Sequence, residues 1–138
     1  LGKIVIVCRD SPGFIVNRLQ GAMLREAISL VEQGLCDMTD VDLVWTQHLG
    51  HRYCLEGPFQ FLDRAGLDTW YSIFQYLYNE LNDSKFRPPD SLKRKVDAGE
   101  LGLKTGKGFY DYSGESTDDI IDRGDKKLLH LLNTLKSP

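Results

Sequence analysis

The strongest constraint on the fold lies in residues 67–81, where Leu67, Trp70, Tyr71, Phe74, Leu77, Tyr78 and Leu81 recur at steps of three and four. That spacing puts all seven on one broad helical face, whereas a strand would send neighbours to opposite sides. A stripe this apolar has to be covered, by the chain's own core or by another subunit. The same period returns at lower amplitude elsewhere. From Phe14 to about Gln33, Val16, Leu19, Met23, Ala27, Leu30 and Val31 make one stripe, ending at Gly34 as a C-terminal cap. Gly21 lies inside this helix and implies close packing on its face. Thr39-Asp40-Val41-Asp42 reads as a second helix start, with Thr39 as cap, Val41, Val44 and Trp45 facing inward, and Gly50 as its end. Gly57-Pro58-Phe59 opens a third, because proline costs little at the first helical position; Phe59, Leu62 and Ala65 face inward and Gly66 stops it. Pro88-Pro89-Asp90 introduces a short helix through Leu92 and Val96. A glycine-rich loop spans residues 102–110. The tail, Ser113 to Pro138, is polar and part-helical, with an amphipathic end at Leu128, Leu131, Leu132 and Leu135.

The β-branched run Ile4-Val5-Ile6-Val7-Cys8 alone reads as a strand, closed by the turn residues Arg9 to Gly13. A lone strand has two unpaired edges, so its partner is expected elsewhere. The fold class expected is all-α with a short N-terminal strand or linker, in one domain covering residues 1–138. The chain begins at Leu1, with no Met and no signal peptide, and is expected to be a piece of something longer.

Composition narrows the partners. The net charge is −3, and the Lys and Arg residues are scattered, so no nucleic-acid-binding face is expected. The densest basic group, Lys93 to Lys95, reads as a solvated helix face. No apolar run approaches the roughly 20 residues a membrane-spanning helix needs, so no membrane is expected, and the location implied is cytoplasmic. Three cysteines, Cys8, Cys36 and Cys54, are an odd set without zinc spacing. They read as reduced intracellular thiols, each a small buried hydrophobe. Asn82-Asp83-Ser84 fits the glycosylation triplet, which carries little weight without a secretory signal.

Spacing alone specifies no active site. There is no Gly-x-Gly-x-x-Gly between a strand and a helix, and Gly106-Lys107-Gly108 lacks the surroundings of a phosphate-binding loop. His48 and His51 could share a helix face, but no third ligand completes a metal set, and no metal is expected. His130 lies in the polar tail and is expected to be exposed. No Ser or Cys sits in a nucleophile elbow.

Taken in order, however, Ser11-Pro12-Gly13-Phe14-Ile15-Val16-Asn17-Arg18-Leu19, Glu26-Ala27, Glu32-Gln33-Gly34, Asp40-Val41-Asp42, Gly57-Pro58-Phe59, Asp63-Arg64-Ala65-Gly66-Leu67-Asp68 and Lys104-Thr105-Gly106-Lys107-Gly108-Phe109-Tyr110 resemble the C-terminal domain of 3-hydroxyacyl-CoA dehydrogenases, over roughly residues 1–112. The resemblance implies a helical domain like that of 6-phosphogluconate dehydrogenase's C-terminal half. It also implies an N-terminal Rossmann domain that binds NAD and carries a catalytic His oriented by a Glu. The activity implied is oxidation of (S)-3-hydroxyacyl-CoA to 3-oxoacyl-CoA in β-oxidation and fatty acid metabolism, by a homodimer. This half would contribute acyl-CoA contacts and the subunit interface, and would be inactive alone.

Two residues match the family's functional positions. Asn17 matches an active-site Asn whose amide helps position the substrate oxygen, chemistry suited to a group that donates without titrating; the alternative is that Asn17 only caps or bridges the first helical turn. Lys104 matches a lysine that reaches the bound cofactor; the alternative is a solvated surface lysine. Asn17-Arg18-Leu19-Gln20 and Leu49-Gly50-His51-Arg52-Tyr53 also resemble the branch of lambda-crystallin and L-gulonate 3-dehydrogenase, which oxidises a 3-hydroxy acid without coenzyme A, while the closing motif resembles the acyl-CoA enzymes. A purely dimerising helical module is the non-enzymatic alternative.

Overall fold

The computed structural model describes residues 4–136, with side chains through Leu135; Leu1 to Lys3 and the end of the expected tail, Ser137 and Pro138, lie outside the described residues. These residues are helical with no strand among them, and they divide into two units between His48 and Leu49.

In the first unit, the Pro12-Gly13 pair turns the chain into α1 (Val16–Glu32). Phe14 N–H donates to Ser11 O at 2.9 Å, and Gly13 takes φ 74° at the third turn position, where glycine carries no Cβ penalty. The helix ends as its sequence implies. Gly34 adopts φ 70°, its N–H reaches Val31 O at 2.9 Å and that of Leu35 reaches Leu30 O at 3.1 Å, the paired bonds of a Schellman cap. Helix α2 (Met38–Val44) is capped by Asp37 rather than by Thr39. The Asp40 N–H donates to Asp37 Oδ1 at 2.9 Å and the Asp37 N–H returns a bond to Asp40 Oδ2 at 3.3 Å. A carboxylate two residues upstream of Thr39 thus supplies both the hydrogen bond and a favourable charge at the helix dipole. Gly50 does not end this helix: a π-helical turn (Trp45–Leu49) leads into the short α3 (Gly50–Tyr53).

Three further expectations about this region fail. Ile4–Cys8 forms no ladder and lies exposed, with Ile4 at 90% and Val7 at 93% accessibility, because no described segment offers an edge to pair with; the linker alternative holds. Gly21 packs against nothing within 4 Å. Of the cysteines, Cys8 and Cys54 are exposed and Cys36 half-buried, all as free thiols, so none is the buried hydrophobe expected.

The second unit holds the described core. Helix α4 (Pro58–Ala65) begins at Pro58 as expected and stops at Gly66, whose φ of 98° lets the chain turn directly into α5 (Leu67–Leu81). The aromatic stripe of α5 packs against α4, the 3-10 turn Ser84–Phe86 and α6 (Asp90–Asp97). It is core at its N-terminal end, where Leu67 is fully buried, half-buried from Trp70 to Tyr78, and exposed at Leu81. Phe61 and Trp70 meet edge-on at 5.6 Å, and Trp70 meets Phe74 at 5.9 Å, within the favourable range for offset rings. Leu92 from α6 and Leu103 from a 3-10 turn (Leu103–Thr105) complete the buried apolar set. The tail is more helical than expected: α7 (Thr117–Lys136) packs against α3, with Leu128, Leu131 and Leu132 half-buried and Leu135 exposed.

Candidate functional site

Asn17 stands in the first turn of α1, exposed. The Pro12-Gly13 turn fixes its place, since the helix begins three residues after Gly13. It does not cap α1: the N-cap position is Ile15, and no side chain bonds there. The Asn17 amide makes no side-chain hydrogen bond among the described residues and lines an open recess with Ile6, Val7, Phe14 and Val16. An uncommitted amide at the rim of an apolar recess keeps both its donor and its acceptor available to a ligand.

Within the second unit the chemistry is organised around Asp63, the one fully buried charged side chain described. Its carboxylate accepts from the N–H of Phe109 and of Tyr110, both at 2.8 Å, and from the Tyr112 hydroxyl at 3.0 Å. Three donors replace the water that burial removes, which is what an otherwise unpaired buried carboxylate requires. Burial, reinforced by the Asp63 hydrogen bond, pushes the Tyr112 phenol well above its ordinary value. Glycines permit the close approach. A Cβ on Gly108 would stand 2.6 Å from Asp63 Cγ, and one on Gly102 would stand 2.7 Å from Asp63 Cα. Backbone bonds then close the loop: Gly102 and Lys107 exchange N–H to O bonds at 2.8 and 3.1 Å, and Tyr112 N–H reaches Gly106 O at 2.9 Å.

Lys104 projects from the 3-10 turn inside this loop. Its Nζ donates to Asp68 Oδ1 at 2.6 Å and Oδ2 at 2.7 Å, and this bond holds the Asp68 carboxyl below its usual range. Lys104 thus stands at the surface, 48% exposed, and paired with Asp68. Glu100 ties the loop to α6 by pairing with both Lys95 at 2.8 Å and Lys107 at 2.7 Å. On α4, Arg64 makes a two-pronged ion pair with Glu56, which raises the guanidinium further above its ordinary value.

Asn17 belongs to the first unit and Lys104 to the second. His48 is exposed, His51 half-buried and His130 exposed, and among the described residues no group of His, Cys, Asp and Glu could hold a metal. No described helix is long and apolar enough to cross a membrane. Sequence reasoning gave Asp63 and Asp68 no role of their own. A signal for Asp63 was present: it falls four residues after Phe59, on the helix face expected to turn inward, where an acid needs dedicated donors. Of the residues assigned to that face, Leu62 is half-buried while Phe59 and Ala65 are exposed.

Comparison with known proteins shows the family. Residues 13–112 match the 3-hydroxyacyl-CoA dehydrogenase C-terminal domain. The chain belongs to that family. It is 45% identical to a 3-hydroxybutyryl-CoA dehydrogenase of Bradyrhizobium diazoefficiens over 114 residues, covering 83% of this chain and 38% of the relative. It is 35% identical over 132 residues to a 5-formyl-3-hydroxy-2-methylpyridine 4-carboxylate 5-dehydrogenase of Mesorhizobium japonicum, covering 96% of this chain and 42% of that protein. Among solved structures, a 3-hydroxyacyl-CoA dehydrogenase from Archaeoglobus fulgidus superposes with a TM-score of 0.84 at 41% identity, over 97% of this chain and 45% of that one. The chain thus spans less than half the length of these relatives.

Proposed function

We propose that this chain is the substrate-side portion of an NAD-dependent 3-hydroxyacyl-CoA dehydrogenase that oxidises (S)-3-hydroxyacyl-CoA to 3-oxoacyl-CoA. It works with an N-terminal dinucleotide-binding domain of the same polypeptide, in a cytoplasmic homodimer, and residues 1–138 alone do not turn over. The observation that carries the reading is the family match across residues 13–112, which contains both Asn17 and Lys104. NAD, when bound, supplies the hydride acceptor. This chain's residues bind and orient. The Asn17 amide, uncommitted within the described chain, donates to the oxygen on the reacting carbon and favours the form in which that oxygen becomes a carbonyl. Lys104 contacts the dinucleotide. Its fit rests on geometry: on a side chain 48% exposed, Nζ keeps one N–H after serving Asp68, and Gly66, where a Cβ would stand 3.3 Å from Nζ, lets the pair lie close to the chain.

The Mesorhizobium relative, whose name carries a free carboxylate and no coenzyme A, supports a second reading, in which the substrate is a carboxylate not joined to coenzyme A. NAD reduction by the full-length parent separates the two. Turnover of 3-hydroxybutyryl-CoA but not of L-gulonate is the expected result; turnover of L-gulonate alone overturns the acyl-CoA assignment.

A further inference from the structure

The Asp68–Lys104 pair brings together residues 36 positions apart in sequence, from the first turn of α5 and from the closing loop. Both side chains stay accessible, at 48% for Lys104 and 40% for Asp68. An exposed pair of this kind adds little to folding stability, since solvent screens it and two side chains lose freedom. The surroundings are nonetheless ordered. Leu103, next to Lys104, is 4% exposed, Gly102 packs against the backbone of Asp63, and the Thr105 hydroxyl accepts from Leu101 N–H at 2.9 Å. The backbone under Lys104 is thereby fixed, while its side chain would otherwise sample many rotamers. Asp68 removes that freedom. The backbone N–H groups of Asp68 and Thr69 act on the same carboxylate, at the start of a 15-residue helix whose dipole favours an anion there.

An ammonium has three donors and no acceptor. Two are committed to Asp68, so one remains, on a pair whose charges cancel. A phosphate arriving at Nζ would be repelled by the Asp68 carboxylate; an uncharged oxygen would not. We propose that Asp68 is a positioning residue for the cofactor: it holds Lys104 so that the single remaining N–H meets an uncharged oxygen of the dinucleotide, a ribose hydroxyl or the carboxamide carbonyl, and not a phosphate. The proposal rests on the reading of Lys104 as a cofactor contact.

The test is NADH binding to the full-length parent, followed by calorimetry at low and high salt, for wild type, Lys104→Met, Asp68→Ala and Asp68→Glu, with thermal melting of each. Lys104→Met is expected to weaken binding about tenfold, the value of a hydrogen bond to a charged group, and to leave the salt dependence of Kd as in wild type. Asp68→Ala is expected to weaken binding several-fold with little change in melting temperature, and Asp68→Glu to recover much of the loss. Wild-type affinity in Lys104→Met overturns both the cofactor reading of Lys104 and the proposal. Weak binding by Lys104→Met with undiminished binding by Asp68→Ala keeps the lysine contact and overturns the role of Asp68. Tighter, more salt-sensitive binding by Asp68→Ala identifies a phosphate partner and likewise overturns the proposal.

Discussion

The side chain on which the second unit most depends is Asp63. Replacing it with alanine leaves the N–H groups of Phe109 and Tyr110 and the hydroxyl of Tyr112 without their acceptor. At roughly 1–3 kcal/mol for each buried donor left unsatisfied, Asp63→Ala should destabilise the protein by about 3 kcal/mol or more. Urea unfolding followed by far-UV circular dichroism checks this, and a loss below about 1 kcal/mol would mean that water replaces the carboxylate at little cost. The same cluster sets an alkaline limit. Burial and Asp63 raise the Tyr112 phenol in the folded state, so its contribution is fully present below its ordinary value of 10.0 and lost as pH rises through the raised one. Stability should therefore fall more steeply between about pH 9 and 11 in wild type than in Tyr112→Phe, which has no phenol to ionise. Parallel pH profiles for the two proteins would remove Tyr112 from the account.

Helices were legible wherever one residue chemistry decided them. Gly34 and the Pro12-Gly13 pair are read correctly because a left-handed cap and a Pro-Gly turn are local events, complete within a few residues. Pro58 marks the start of α4 for the same reason. The misreadings are cases where a local preference lost to a neighbour or lacked a partner. Asp37 outcompetes Thr39 as cap because its carboxylate is matched by Asp40 in return. The β-branched run at Ile4–Cys8 has strand propensity, but propensity alone does not make a strand without an edge. The place of Asp63 on a face expected to be apolar hinted at dedicated donors. The donors themselves, and the partner of Asp68, were opaque because they lie 46 or more and 36 residues away, respectively, a relation that periodicity does not encode.

Helix α1 raises a different question at the same scale. Of the stripe read from the sequence, Val16 and Leu19 are more than half exposed and Met23 is 39% exposed, while Ala27, Leu30 and Val31 are half-buried. Leu24 and Ile28, outside that stripe, are also more than half exposed, so much of the apolar surface of α1 has no cover among the described residues. A helix with so wide an apolar arc is stable in water only against another surface. That surface is expected to be the dinucleotide-binding domain or the second subunit. Leu24→Glu combined with Ile28→Lys should convert the proposed full-length homodimer to monomer, or strip NAD reduction, as seen by sedimentation and assay. A dimer with unchanged turnover would show that this face stays in water.

As a whole molecule, the chain joins an ordered, Asp63-centred unit to a helical unit whose apolar side is open. Relatives more than twice as long contain it as one portion. The family is shown by residues 13–112; the proposed role of Asn17, serving the reacting oxygen of a 3-hydroxyacyl-CoA, goes beyond that match. The most direct test compares wild-type and Asn17→Ala parent enzyme in steady-state NAD reduction with 3-hydroxybutyryl-CoA. Loss of one donor to a developing carbonyl predicts a fall in kcat of about 10²-fold with a smaller change in KM. A variant that turns over the thioester as fast as wild type would contradict the claim and leave Asn17 a surface residue of α1.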